Sequence, residues 1–187
     1  TKIIMQKTIT PIDNTLYIER EYNSEIIEDT INNSIKAQKA WASEGVKERI
    51  KLLGNFVEDF LSRKEILAEE LCRQIGRPIA HAAGELDGFK ERAEYMLSIA
   101  ERKLSDIDVT KDKNFKNFIK RRPLGVVFVI APWNYPYLTA VNSIIPAMAA
   151  GNTVILKHSA QTPLCAEQLY QSAKKTLPKD VFNYLHL

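Results

Sequence analysis

The sequence has little of what would staple or embed a chain. Only two cysteines occur in 187 residues, Cys72 and Cys165, and their wide separation, without a companion histidine motif, excludes a disulfide framework or a zinc ribbon. The three histidines, His81, His158 and His186, share no metal-ligand spacing, so no metal site is expected. No G-x-G-x-x-G occurs, which removes the standard dinucleotide fingerprint. No long uncharged apolar run opens the chain, so no secretory signal is read. The most apolar stretch, Leu138 to Leu156, carries Asn142, Ser143, Pro146, Gly151 and Asn152, too much polar and helix-breaking chemistry for a membrane span. Charge of one sign is also scarce: 26 basic against 23 acidic side chains leave +3, no field for nucleic acid or anionic lipid. Reduced thiols and a cytoplasmic location are the resulting expectations.

What is present is a chain with enough apolar residues, 45%, for one sizeable core. Extended pieces around the turn Pro11-Ile-Asp-Asn14 read as a hairpin. From Ser24, with Asn23 or Ser24 as cap, Ile27, Ile31, Ile35 and Ala42 predict one buried helix face that Gln38 interrupts. A second helix buries Ile50, Leu53, Phe56 or Val57, and Phe60. A third, from about Lys64, buries Ile66, Leu67 and Leu71 and stops at Gly76-Arg-Pro78. A fourth, from about Ala80 to Leu104, turns Leu86, Phe89, Ala93, Met96 and Ala100 inward. Within it, Gly84 and Gly88 permit close helix packing or merely a surface accommodation. Glu69, Glu70 and Glu85 read as solvated helix charges.

The pattern then changes. Asn114 to Arg122 and Leu124 to Ala131 predict two strands, the second fully buried. Helix Pro136 to Ala150, strand Thr153 to Lys157, helix Thr162 to Thr176 and strand Val181 to Leu187 follow. Strand, helix, strand, helix, strand is the signature of a parallel sheet with right-handed crossovers. The final strand-like run stops without a cap or polar tail, as expected of a piece of a longer protein.

The segment Arg122-Pro-Leu-Gly-Val-Val-Phe-Val-Ile-Ala-Pro-Trp-Asn-Tyr-Pro136 carries the chemistry. Ligands bind outside the carboxyl ends of strands in open parallel sheets. Pro132 and Pro136 restrict this turn, so the amide of Asn134 is presented in few orientations and can donate to an oxygen gaining negative charge. The alternative is that Asn134 caps the next helix. Trp133 has the alternative of an ordinary core tryptophan.

Pro123, Gly125, Ile130, Pro132, Trp133, Asn134 and Pro136, followed at the correct interval by Ala149-Ala-Gly-Asn-Thr-Val-Ile-Leu-Lys157, resemble the aldehyde dehydrogenase superfamily. A weaker similarity extends from about Asn32 onward. The resemblance implies an incomplete α/β fold: N-terminal helices plus the first strands of a parallel Rossmann-like sheet. It divides the chain into a helical part of the cofactor-binding domain at 1–111, a hairpin at 112–130 contributing to oligomerisation, and the first part of the cofactor-binding sheet at 131–187, with the catalytic domain absent. It implies oxidation of a small aldehyde to an acid with NAD or NADP, through a thiohemiacetal and thioester on a cysteine outside this chain. Asn134 then takes the oxyanion role. Ile130, Ala131, Pro132 and Trp133 lie along the cofactor, and Tyr135 and Leu138 face the substrate passage. Lys157, His158, Ser159 and Ala160 approach the adenosine ribose.

Many relatives carry glutamate where Ala160 stands, and without that carboxylate Lys157, His158 and Ser159 favour NADP or dual use. Cys72 and Cys165 lie outside the family's nucleophile context, so both are read as structural and this chain alone is expected to be inactive. The basic, aromatic stretch Lys111 to Arg122 fits an interface hairpin of a homo-oligomer better than a nucleic-acid contact. A non-catalytic remnant that binds cofactor or self-associates is the second reading.

Overall fold

The computed structural model describes residues 3–111 and 114–187. Part of the basic stretch, at 112–113, therefore lies outside the described residues. β1 (Ile4–Ile9) and β2 (Leu16–Tyr22) pair antiparallel. Their turn closes through Thr10 N–H to Thr15 O, 3.0 Å, with Asn14 at φ 61°, a left-handed conformation that asparagine tolerates.

Helices α1 (Ser24–Ser43), α2 (Val46–Leu61), α3 (Lys64–Ile75) and α4 (Ile79–Leu104) follow. Asn23 caps α1, accepting from Ile26 N–H at 3.0 Å. The isoleucine stripe of α1 does not face the core: Ile31 and Ile35 are exposed, while Ser34 and Trp41 are buried. The reason is the partner surface. Ser34 O accepts from Thr153 Oγ1, Ser34 Oγ accepts from Asn183 Nδ2, and Trp41 Nε1 donates to Met148 O. Gln38, seen in the sequence as an interruption, donates to Gly151 O on this same contact face.

α2 and α4 bury the expected rows, with Leu53, Phe56, Phe60, Leu86 and Phe89 fully enclosed. In α3, Leu67 and Leu71 are buried but Ile66 is exposed. α3 ends where Gly76 adopts φ 69°. Pro78 then leads into α4.

A short antiparallel pair, β3 (Ile107–Asp108) with β4 (Phe118–Ile119), precedes the main sheet. That sheet holds β5 (Val126–Ala131), β6 (Thr153–His158) and β7 (Phe182–Leu185), parallel and in that order, joined by α5 (Pro136–Ala149) and α6 (Pro163–Thr176). The sheet therefore begins at Val126, inside the segment 112–130 that the sequence assigned to a hairpin. β5 is not fully buried either. Val129 and Ala131 face the core, whereas Phe128 and Ile130 are 50% and 69% exposed, because α1 lies mainly over β6 and β7.

Asn152 locks the return from α5 to β6. Its Oδ1 accepts from Leu124 N–H at 2.6 Å and Gly125 N–H at 3.0 Å, while Nδ2 donates to Ala147 O at 2.9 Å. Gly151 beside it sits at φ 92°, where a side chain would be strained.

Candidate functional site at the ends of the parallel strands

β5 ends at Ala131, and the chain turns through Pro132 to Tyr135 before Pro136 opens α5, where its missing N–H costs nothing. The N–H groups of the first turn need an acceptor, and neither Asn134 nor Tyr135 supplies it. Glu85, reaching across from α4, accepts from Tyr137 N–H at 2.8 Å and Leu138 N–H at 3.2 Å through Oε1. Its other oxygen pairs with Arg77. The capping alternative for Asn134 is thereby removed, and Asn134 stands exposed at the strand mouth.

Glu85 is the opposite of a solvated charge, with 1% of its side chain exposed. Burial pushes its carboxyl above the ordinary range, against the downward pull of the Leu138 N–H, Arg77 and the Tyr137 N–H. Arg77 also donates to Asn134 O at 2.5 Å and lies 4.7 Å from the centre of the Tyr135 ring. Sequence reasoning missed both residues. One signal was available: Ala82, Glu85, Leu86, Phe89 and Ala93 form the buried stripe of α4, and a carboxylate on such a stripe requires a partner.

The second strand end meets the first directly. Ser159 N–H donates to Ala131 O at 3.0 Å. Ile130 and Lys157 are register partners on neighbouring strands, so both project from the same sheet face. Ile130 and Trp133 are largely exposed, Pro132, Tyr135 and Ala160 exposed, and Lys157, Leu138 and Ser159 half-buried. Trp133 lines a pocket of about 440 Å³ together with Ile9, Pro11, Ile75 and Gln161.

Two of the expected cofactor-contacting side chains do not reach the surface. Ala131 is buried, its carbonyl engaged by Ser159. His158 is 3% exposed and ties two helix starts together: Nδ1 accepts from Ser159 N–H at 3.0 Å and lies 2.8 Å from Thr162 Oγ1. That leaves the proton on Nε2, which faces Pro136 O at 3.2 Å. Burial lowers its pKa to about 4, with Lys157 adding to the effect, so it stays neutral and offers no charge to a phosphate. Ser159 Oγ accepts from Gln161 N–H, and Ala160 O accepts from Thr8 Oγ1 at 2.6 Å and, more loosely, Gln6 Nε2 at 3.5 Å. The hairpin β1–β2 therefore holds the turn after β6.

Cys165 is buried and Cys72 half-buried, both with thiols raised by burial and neither at this site. Among the described residues no cluster of histidine, cysteine or carboxylate side chains could hold a metal ion, and no helix is long and apolar enough to cross a membrane.

A parallel sheet with a proline-restrained polar turn at one strand mouth and a lysine at the next defines an α/β protein, and in open sheets of this kind the strand ends are where ligands bind. The chain belongs to the aldehyde dehydrogenase family, whose family model matches residues 5–187. It is similar to the 3,6-anhydro-alpha-L-galactose dehydrogenase of Vibrio sp. (strain EJY3), 34% identical over 149 residues, covering 79% of this chain and 31% of that protein. Among solved structures it resembles PnpE in complex with nicotinamide adenine dinucleotide, with 27% identity, TM-score 0.91, and coverage of 97% of this chain and 38% of that one. It also resembles the NADP-dependent glyceraldehyde-3-phosphate dehydrogenase of Bacillus halodurans C-125 complexed with NADP, with 26% identity, TM-score 0.88, and coverage of 97% and 40%. The chain spans about a third of the length of the curated relatives it matches, 29–34%.

Proposed function

We propose that this chain is the cofactor-side portion of an NAD(P)-dependent aldehyde dehydrogenase, with Asn134 as its contribution to the chemistry. The observation that carries the reading is the division of labour at the start of α5. Glu85 caps the helix, so the Asn134 amide is left at the strand mouth with its backbone held by Arg77. An amide in that place donates to a carbonyl oxygen that becomes an oxyanion when a thiolate attacks. The thiolate and the base that later activates water come from outside this chain, and neither Cys72 nor Cys165 replaces them.

The residues present suit a nicotinamide dinucleotide. Ile130 gives an exposed apolar surface beside Lys157, whose ammonium donates to ribose hydroxyls or a phosphate, and Ser159 and Ala160 border the same strand end. When bound, that cofactor supplies the hydride acceptor. Tyr135 and Leu138 border the aldehyde's approach. The absence of a carboxylate at Ala160 favours NADP or dual use, now resting on Lys157 and Ser159 without His158. A cytoplasmic homo-oligomer joined through the β3–β4 region accounts for the exposure of Phe115, Phe118 and Ile119.

Replacing Asn134 with alanine in the complete enzyme is expected to lower kcat at least 100-fold, the effect of losing about 3 kcal/mol of oxyanion stabilisation. Cofactor Kd should stay within about twofold of its original value, because other residues hold the dinucleotide. Unchanged turnover would remove Asn134 from the reaction.

A further inference from the structure

Arg77 lies in the bend between α3 and α4, yet its guanidinium serves three groups around the strand mouth. It pairs with Glu85, donates to Asn134 O at 2.5 Å and stacks on Tyr135 at 4.7 Å. Only 15% of the Arg77 side chain and 1% of the Glu85 side chain are exposed. We propose that Arg77 and Glu85 form a clamp that sets the orientation of the Asn134 amide and the Tyr135 ring, making them positioning residues for the reaction proposed above. The inference rests on that reading for its catalytic consequence and on geometry alone for the clamp.

The rotation of an asparagine side chain about its backbone depends on where its own carbonyl points. In this turn Pro136 fixes one side of the Tyr135–Pro136 peptide, and Pro132 restrains the approach from β5. The remaining freedom lies at Asn134 and Tyr135, and Arg77 acts on both. Glu85 closes the assembly by gripping the next two N–H groups, those of Tyr137 and Leu138. The clamp is itself anchored, because Arg77 is flanked by the left-handed Gly76 and by Pro78.

A buried ion pair gives little net stability compared with packed apolar residues of similar size, so stability alone is a weak reason for Arg77 and Glu85 to occupy this place. What apolar residues could not do is hold a carbonyl, two N–H groups and a ring in one register. Lysine could not do so either. Its ammonium can pair with Glu85, but it has no planar fork to reach Asn134 O while stacking on Tyr135.

The test has two independent arms. In the 187-residue chain, Arg77→Lys should leave the resonances of Trp41 and Phe60 unchanged. It should convert the Asn134 side-chain amide and the Tyr135 ring from ordered to rapidly averaging signals in nuclear magnetic resonance relaxation. Unaltered order at both groups would overturn the clamp whatever the activity. In the complete enzyme, R77K should lower kcat at least tenfold with cofactor KM within twofold. R77A should recover part of its kcat on addition of guanidinium ion. The double variant R77K/N134A should be no slower than N134A. Additive losses in that double variant would show that Arg77 does not act through Asn134, and would overturn the positioning role. Should N134A keep full turnover while R77K still loosens the turn, the clamp stands and the assignment of Asn134 to the reaction fails.

Discussion

His158 is enclosed at 3% exposure, and its proton affinity makes it a liability in acid. Its folded-state pKa, about 4, is depressed from the ordinary 6.5, so the unfolded chain binds a proton more readily. The contribution is fully present above pH 6.5 and is lost as pH falls through 4, a loss of roughly 3 kcal/mol. Glu70 works in the opposite sense. Burial raises its carboxyl from 4.5 to about 6, and Oε2 has no hydrogen-bond partner while Oε1 accepts from Gln168. Its contribution is present below pH 4.5 and is lost as pH rises through about 6, worth about 1 kcal/mol after solvent screening at a half-buried site. Glu70→Gln should therefore be the more stable protein at pH 7.5 and equal to the parent near pH 4.5, as read from urea midpoints. Parallel profiles would contradict this. Ala160 supports a second expectation. Its carbonyl is anchored by Thr8, and under the cofactor reading proposed above Ala160→Glu should raise the Kd of NADP relative to NAD roughly tenfold by repulsion. An unchanged ratio in the complete enzyme would place the discriminating group elsewhere. At this scale the exposed turn that presents Asn134 was legible because two prolines bracket it. His158 was not, since strand alternation alone does not tell which face of an edge is covered.

Within α4 the two glycines separate cleanly. A methyl group at Gly84 meets nothing within 4 Å, whereas one at Gly88 would lie 2.8 Å from Leu138 Cδ1. Gly84→Ala should thus raise stability by about 1 kcal/mol through helix propensity. Gly88→Ala should give up most of that gain and displace Leu138, which a crystal structure of the variant would show. Equal gains would mean that α4 and α5 are not held at this spacing. The first helix gives the complementary lesson. Its isoleucines recur at helical spacing, and periodicity located the helix and its cap, yet the partner surface chose Ser34, Gln38 and Trp41 for contact. Hydropathy reports an amphipathic face, but hydrogen bonds to Thr153 and Asn183 decide which face docks. Ile35→Lys should change stability by less than about 0.5 kcal/mol, while Ser34→Val should cost about 2 kcal/mol by removing the closer of the two acceptors of the buried Asn183 amide. Reversal of that ranking in denaturant titrations would return the isoleucine stripe to the core. The same logic explains Glu85, whose place on the buried stripe of α4 was visible in the spacing while its partner, Arg77, was hidden inside a helix-stop signal.

Across the whole molecule, alternation of strands and helices after Pro123 was enough to give the parallel order of the sheet, because a right-handed crossover leaves few alternatives. The cover over β5 was not legible, since a run of Val, Phe and Ile reads the same whether one or both faces are packed. In the structure β5 is an edge of the described sheet, pairing with β6, and it carries Phe128 and Ile130 outward while α1 shields its neighbours. An edge strand with apolar outward residues is a template for pairing with another chain. The chain studied by itself should therefore associate as its concentration rises, with the weight-average mass in sedimentation equilibrium climbing above 21.3 kDa. Phe128→Lys, which leaves the core-facing Val129 and Ala131 untouched, should hold the mass near the monomer value over the same range, because a charged edge resists strand addition. If parent and variant associate equally, the contact lies elsewhere, and the exposed β3–β4 residues Phe118 and Ile119 become the surface to alter next. A parent that stays monomeric throughout would show that twist or side-chain packing already protects the β5 edge.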